Sequence, residues 1–211
     1  MSSIFRLDAS IRQEGSVTRA VADTLVSTIA EELGHADVVR RDVAAQPISG
    51  SVWGTAAFAG YTPEESRTEE QRAALAVSSE LADELVAADA LIFAVPLYNF
   101  GVSQHVKTWF DLVLAGAPHG TRLLEGKPVV LLTTRGGAYG EGTPRAGWDH
   151  STDFLRRILV DIWGADLTVI EREFTLVGVN PALDEFTELA ALMKKEAEEA
   201  AVVAGRELAT R

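Results

Sequence analysis

Cysteine is absent from the 211 residues, which removes disulfide frameworks, thiolate metal sites, cysteine nucleophiles and dithiol redox chemistry together. Any redox work must fall to a bound cofactor. Basic residues are scarce as well: 19 Lys+Arg stand against 31 Asp+Glu, a formal charge of −12. Nucleic acids and anionic membranes select clustered Lys and Arg, so neither is an expected partner. No run of about 18 apolar residues occurs that would cross a bilayer, and MSSIFRLDAS lacks the basic-then-apolar pattern of a signal peptide. The expectation is a cytoplasmic protein. Apolar residues make up 47% of the chain, a normal globular share that can bury a substantial core.

Short apolar runs alternate with longer amphipathic stretches, the rhythm of βαβ units. Strands are predicted over residues 3–8, 37–43, 88–95, 128–133 and 166–170. Helices are predicted over 16–33, 63–87, 103–115, 149–163 and 181–208. Val17, Ala20, Val21, Leu25, Ile29 and Leu33 form the apolar stripe of the first helix, with Ser16 or Thr18 placed to cap it and Gly34 to end it. Pro63, followed by Glu64 and Glu65, reads as a helix start. The runs ADALIFAV and PVVLLT have the continuous apolar character of central parallel strands covered on both faces. Residues 44–62 break the rhythm and carry Trp53, Phe58 and Tyr61 among small residues. Aromatics on so long a connection need a partner surface or a ligand. No repeat or linker interrupts the alternation, so residues 1–211 read as one domain.

In a doubly wound parallel sheet, ligands bind beyond the carboxyl ends of the strands. That rule selects the loops 9–18, 96–102 and 134–140. The first places hydroxyls at Ser10, Ser16 and Thr18 around a helix N-terminus, where free N–H groups and the helix dipole favour an anion. Taken alone, it reads first as ordinary capping. The second, Pro96-Leu97-Tyr98-Asn99-Phe100-Gly101, can lay a flat aromatic ligand against Leu97 and Tyr98 while Asn99 bonds its polar edge; a tight turn with core aromatics explains it equally. The third, Thr134-Arg135-Gly136-Gly137, offers close backbone approach and N–H donors for negative charge, or simply a turn with a surface Arg.

Together, Ser10 with Ser16-Val17-Thr18, the segment Pro96-Leu97-Tyr98-Asn99-Phe100 and the segment Thr134-Arg135-Gly136-Gly137 resemble the flavodoxin-like family of FMN-dependent NADH-azoreductases and quinone reductases. PLYNF is the most specific part. The resemblance runs from the first strand to the last helix and implies an α/β fold with a five-stranded parallel sheet, order 2-1-3-4-5, and helices on both faces. It implies FMN, with its phosphate at Ser10, Ser16, Val17 and Thr18. Its ring would lie at Pro96, Leu97, Tyr98, Asn99 and Phe100, and its pyrimidine edge at Thr134, Arg135, Gly136 and Gly137. It further implies NADH or NADPH as cosubstrate, a quinone or azo acceptor, two-electron ping-pong transfer, and a homodimer that would bury Trp53, Phe58 and Tyr61.

Two positions depart from the family pattern: Ala9 replaces a small polar residue, and Tyr139 stands where a His usually follows the double Gly. Tyr139 is therefore a candidate substrate contact, and no acid–base dyad is required because the cofactor carries the chemistry. No metal ligands are expected; Asp149, His150 and Asp153 read as a solvated helix start. Two rivals stand beside this reading. A flavodoxin-type electron carrier suits the acidic composition but needs neither the aromatic segment nor PLYNF. A hydrolase using Ser10 would want an Asp three residues before a His, and Glu32, Val102, Gly116 and Gly147 occupy those positions. No G-x-S-x-G occurs either.

Overall fold

Alternate side chains of the central strands enter two separate cores, and that alternation sets three layers. The computed structural model describes residues 3–211. Its strands are β1 (Ser3–Asp8), β2 (Asp37–Asp42), β3 (Ala90–Ala94), β4 (Pro128–Thr134) and β5 (Asp166–Arg172). They form one sheet in the order β2-β1-β3-β4-β5, every pair parallel, so the flavodoxin-like expectation holds in topology as well as class. Phe5, Leu7, Leu91, Phe93, Val129 and Leu131 face one core. Ile4, Ala90, Ile92, Ala94, Val130 and Leu132 face the other.

Helices α1 (Val17–Leu33) and α6 (Thr187–Ala209) cover the second face; α2 (Gly50–Ala59), α3 (Glu69–Ala87), α4 (Gln104–Gly116) and α5 (Thr152–Arg156) cover the first. On that first face Phe5, Phe93, Trp109, Phe110 and Trp163 are all buried. Their contacting rings lie 5.0–6.4 Å apart, close enough for ring pairing to add to area burial. A Cβ on Gly116 would fall 2.0 Å from the Ser78 carbonyl oxygen, so the α3–α4 approach requires glycine there.

Several predicted boundaries shift for local reasons. Pro63 opens only a 3-10 turn, Glu64–Ser66, and α3 begins at Glu69 under a capping box in which Thr68 and Gln71 each bond the other's backbone N–H. Residues 44–62 contain an unforeseen helix, α2, whose Gly/Ala-rich sequence carries no clear apolar stripe. Asp149 precedes the helix expected to start there and accepts the N–H groups of Ser151 and Thr152, so α5 begins at Thr152 and continues as a π-helix over Arg157–Ile162. Pro181–Phe186 is 3-10, and α6 begins at Thr187. By contrast, Ser16 caps α1 and Gly34 ends it in the left-handed conformation, as expected. Trp53, Phe58 and Tyr61 are exposed by 43%, 74% and 90% in the single chain.

Candidate functional site

The carboxyl edge of the sheet opens into a cleft of about 990 Å³. One end is built by the turn after β1. Ser16 Oγ accepts the Arg19 N–H at 3.4 Å, which leaves the N–H groups of Val17 and Thr18, at the first two helical positions, without an acceptor among the described residues. Ser10, Ser16, Val17 and Thr18 all line the cleft at this end. The Thr18 hydroxyl is already shared with Thr134 Oγ1 at 2.6 Å. That bond ties the β1 turn to the β4 turn. It leaves backbone N–H groups, more than hydroxyls, to meet an anion.

The wall after β3 is the turn at residues 96–101. Tyr98 and Gly101 exchange two backbone hydrogen bonds of 3.0 Å, with φ of 48° at Asn99 and 68° at Phe100, the backbone sense of a type I′ turn. Asn tolerates positive φ readily, whereas an aromatic does so only when its surroundings hold it. Phe100 is held: its ring meets Tyr139 and Trp148, and its carbonyl accepts the His150 N–H at 2.9 Å. Pro96, Leu97 and Tyr98 line the cleft; Asn99 and Phe100 sit at the exposed tip and do not. The Tyr98 hydroxyl accepts the Ile11 N–H at 3.1 Å and lies 3.4 Å from Ser10 Oγ, joining the β1 and β3 turns.

The far end is formed by the turn after β4. The N–H groups of Gly136 and Gly137 meet no acceptor among the described residues. Their carbonyls take the N–H groups of Leu176 and Phe174. A Cβ on Gly136 would lie 2.6 Å from Leu176 Cδ1, so the absent side chain makes room for that leucine. Thr134, Gly136, Gly137 and Tyr139 line the cleft, but Arg135 does not. Its guanidinium turns behind the loop and bonds Asp149 at 2.6 Å, Glu171 at 2.7 Å, Glu173 at 3.3 Å and Thr152 Oγ1 at 3.1 Å. Burial opposes the charge on Arg135, yet Glu171 and Asp149 more than offset it and raise its pKa. Burial likewise opposes the Asp149 carboxylate, but bonds from Thr152, Ser151 and Arg135 hold its pKa below the ordinary value. Glu173 accepts the Tyr139 N–H at 2.8 Å, so the cage also fixes the start of the next loop.

A second buried ionic cluster lies beneath the β1 turn. Asp8, fully buried, meets Arg6 at 3.0 Å, Arg19 at 3.6 Å and Arg40. Arg19 also bonds Asp42 at 2.6 Å and the Ser10 carbonyl at 2.8 Å, and Arg6 bonds Asp23.

The sequence reading missed a part of the cleft. Arg12 and Arg145 line it, the latter 5.6 Å over the Tyr139 ring. Glu173, Leu176, Phe186, Leu189 and Met193, from β5 onward, complete the wall. The rule about carboxyl ends points to the loop after β5 too. None of the four histidines lines the cleft, so Ser10 has no imidazole base there.

A doubly wound parallel sheet with an anion-ready helix start and open donors across one cleft defines a flavodoxin-like α/β protein. The family model described as flavodoxin-like fold matches residues 2–197. A protein of Frankia alni named FMN-dependent NADH:quinone oxidoreductase is 38% identical over 196 residues, 90% of this chain and 92% of its own. One of Streptomyces avermitilis with the same name is 33% identical over 215 residues, spanning 100% and 99% of the two chains. The azoreductase structure from Bacillus anthracis str. Sterne superposes with a TM-score of 0.78 at 21% identity, covering 98% of this chain and 100% of the other. An FMN-dependent NADH-azoreductase from Bacillus anthracis str. Ames Ancestor, in complex with FMN, gives 0.74 at 18%, covering 97% and 100%. The chain belongs to this flavodoxin-like family, among the FMN-dependent NADH:quinone oxidoreductases, and is an oxidoreductase.

Proposed function

We propose that this cleft binds FMN and that the protein passes two electrons from NADH or NADPH to a quinone or an aromatic azo compound in a ping-pong cycle. The carrying observation is the pair of unpaired donor sets at opposite ends of one cleft. Val17 and Thr18 N–H stand at the helix start, and Gly136 and Gly137 N–H stand beyond β4. The first set fits a phosphate and the second fits the polar edge of the flavin ring, with Leu97 and Tyr98 as its flat wall. FMN supplies hydride acceptance and electron delivery, and the protein supplies orientation and electrostatics. Arg12 lines the same cleft, and among the described residues no carboxylate engages it. Gly136 and Gly137 N–H stabilise negative charge at the ring edge. Arg135 positions that turn from behind, while Asn99 and Phe100 shape the rim. Tyr139, anchored through its N–H to Glu173, faces the open side and contacts the acceptor.

Residues 1–211 act as one FMN-binding domain in the cytoplasm; among the described residues no helix is long and apolar enough to cross a membrane. The same reading makes the protein a homodimer. Ile11 and Trp148 lie exposed by 61% and 50% beside the cleft, and Phe58 and Tyr61 project from α2 and its end. Exposed large apolar side chains in that number mark an association surface. Sedimentation should give twice the chain mass, and Phe58→Asp with Tyr61→Asp should give the monomer; a wild-type monomer contradicts the dimer. For the reaction, anaerobic NADH should bleach the bound flavin without a reductase partner, and a quinone or azo dye should restore it. Flavin that resists NADH, or that stops at one-electron reduction, supports the carrier instead.

A further inference from the structure

On the other side of the same helix start lies a second cleft of about 540 Å³, between α1 and α6. It shares Ser16 and Val17 with the first cleft, and its charged lining is Arg19, Arg40, Arg172 and Lys194 against Asp23 and Glu198. In a chain of net charge −12 that excess of cations is unusual. Most of these charges are already matched. Arg19 and Arg40 meet Asp8 and Asp42, Asp23 meets Arg6, and Lys194 lies 3.7 Å from Glu198.

Arg172 is the exception. At the carboxyl end of β5 it is only 8% exposed, and the one hydrogen bond of its guanidinium runs from Nη1 to the Ala190 carbonyl. Among the described residues, buried Nε has no partner, no acceptor meets Nη2, and no carboxylate lies within ion-pair distance of the group. Arg19 Nε, in the same lining, is buried and unpartnered too. A buried guanidinium without a counter-ion is strongly disfavoured. Burial does push the Arg172 pKa down, with Glu198 opposing, but arginine stays charged in proteins. Glu198, in the same lining, acts on the group only from beyond ion-pair distance and already meets Lys194, so an anion from outside the chain would complete the set.

We propose that this second cleft binds a phosphate group, with Arg172 as its principal partner and Lys194 at its rim. A tetrahedral oxyanion accepts the fork of donors that Arg172 leaves open. The site is separate from the FMN phosphate, which meets α1 from the first cleft. Free inorganic phosphate and the 2′-phosphate of NADPH share this chemistry.

The test is titration of the FMN-saturated protein with sodium phosphate at constant ionic strength, followed by calorimetry, with the flavin spectrum recorded throughout. Saturable binding of one phosphate per chain is expected, not reproduced by chloride. Arg172→Gln should weaken it by about tenfold or more, the loss of a charge-assisted bond. Lys194→Gln, at an exposed position, should weaken it by about threefold and keeps the test valid if Arg172→Gln fails to fold. Phosphate that inhibits NADPH turnover competitively, but not NADH turnover, assigns the cosubstrate as its source; inhibition of neither assigns the free ion. Non-saturable heat, or equal affinity in Lys194→Gln and wild type, overturns the proposal. Loss of flavin in Arg172→Gln also overturns it, because the cleft would then be part of the FMN site.

Discussion

Two ionic clusters, each centred on a buried group, Asp8 in one and Arg135 in the other, support the two ends of the main cleft, and they differ in balance. Beneath the β1 turn three arginines, Arg6, Arg19 and Arg40, meet three aspartates, Asp8, Asp23 and Asp42. Behind the β4 turn a single arginine, Arg135, meets Asp149, Glu171 and Glu173. The end proposed for the phosphate thus rests on a neutral base, and the end proposed for the ring edge rests on an acidic one. An acidic base would repel phosphate. At that end the Gly136 and Gly137 N–H donors are left open to the cleft, and the carboxylates are held by Arg135, Glu173 also taking the Tyr139 N–H.

The unequal balance predicts unequal costs. Arg135→Met leaves three carboxylates without their shared cation and should cost about 3–5 kcal/mol in urea unfolding. Arg19→Met should cost less, about 1–3 kcal/mol, because Asp42 keeps the Ala44 and Ala45 N–H groups and Asp8 keeps Arg6 and Arg40. Equal losses would mean that the two clusters do the same work.

The Thr18–Thr134 hydroxyl bond links the two ends directly. Thr18→Val and Thr134→Val, combined in a double-mutant cycle, should show a coupling of about 1 kcal/mol. The single variants should also loosen flavin, and a coupling near zero would separate the two turns.

Acid should act on both clusters with the same sign. Asp149 and Asp42 both have lowered pKa values in the folded chain: burial opposes ionisation, and hydrogen bonds from Thr152 in one case and Arg19 in the other outweigh it. Their contribution is full above the unfolded value near 4 and is lost as pH falls toward the folded values, because the unfolded chain takes protons first. The urea midpoint should hold from pH 7 to about 5 and decline below about 4. Asp149→Asn should flatten that decline; an unchanged slope would remove Asp149 from the pH response.

The fold was legible where one rule dominated. Apolar runs without alternation marked β3 and β4, and Ser16 and Gly34 marked the ends of α1, because local capping needs no distant partner. Where two local signals compete, the wrong one stands out: Pro63 with two glutamates masks the Thr68–Gln71 box a few residues on, and α2 hides in a sequence with almost no amphipathic stripe. At the site, Ser10, Ser16, Val17, Thr18, Pro96, Leu97, Tyr98, Thr134, Gly136 and Gly137 converge on one cleft. Arg135 lies behind that cleft because three carboxylates from residues 149–173 claim it, a long-range pairing that spacing does not encode. Arg172 stayed invisible for the same reason. Its significance is a partner it lacks.

The central claim is that the β1 turn and the start of α1 hold a phosphate with backbone donors on a neutral base. Titrating flavin-free protein with FMN and with riboflavin, read by quenching of flavin fluorescence, tests it most directly. FMN should bind one per chain and more tightly than riboflavin by on the order of a hundredfold, the worth of two or more charge-assisted bonds. Equal affinity for the two flavins would contradict the claim.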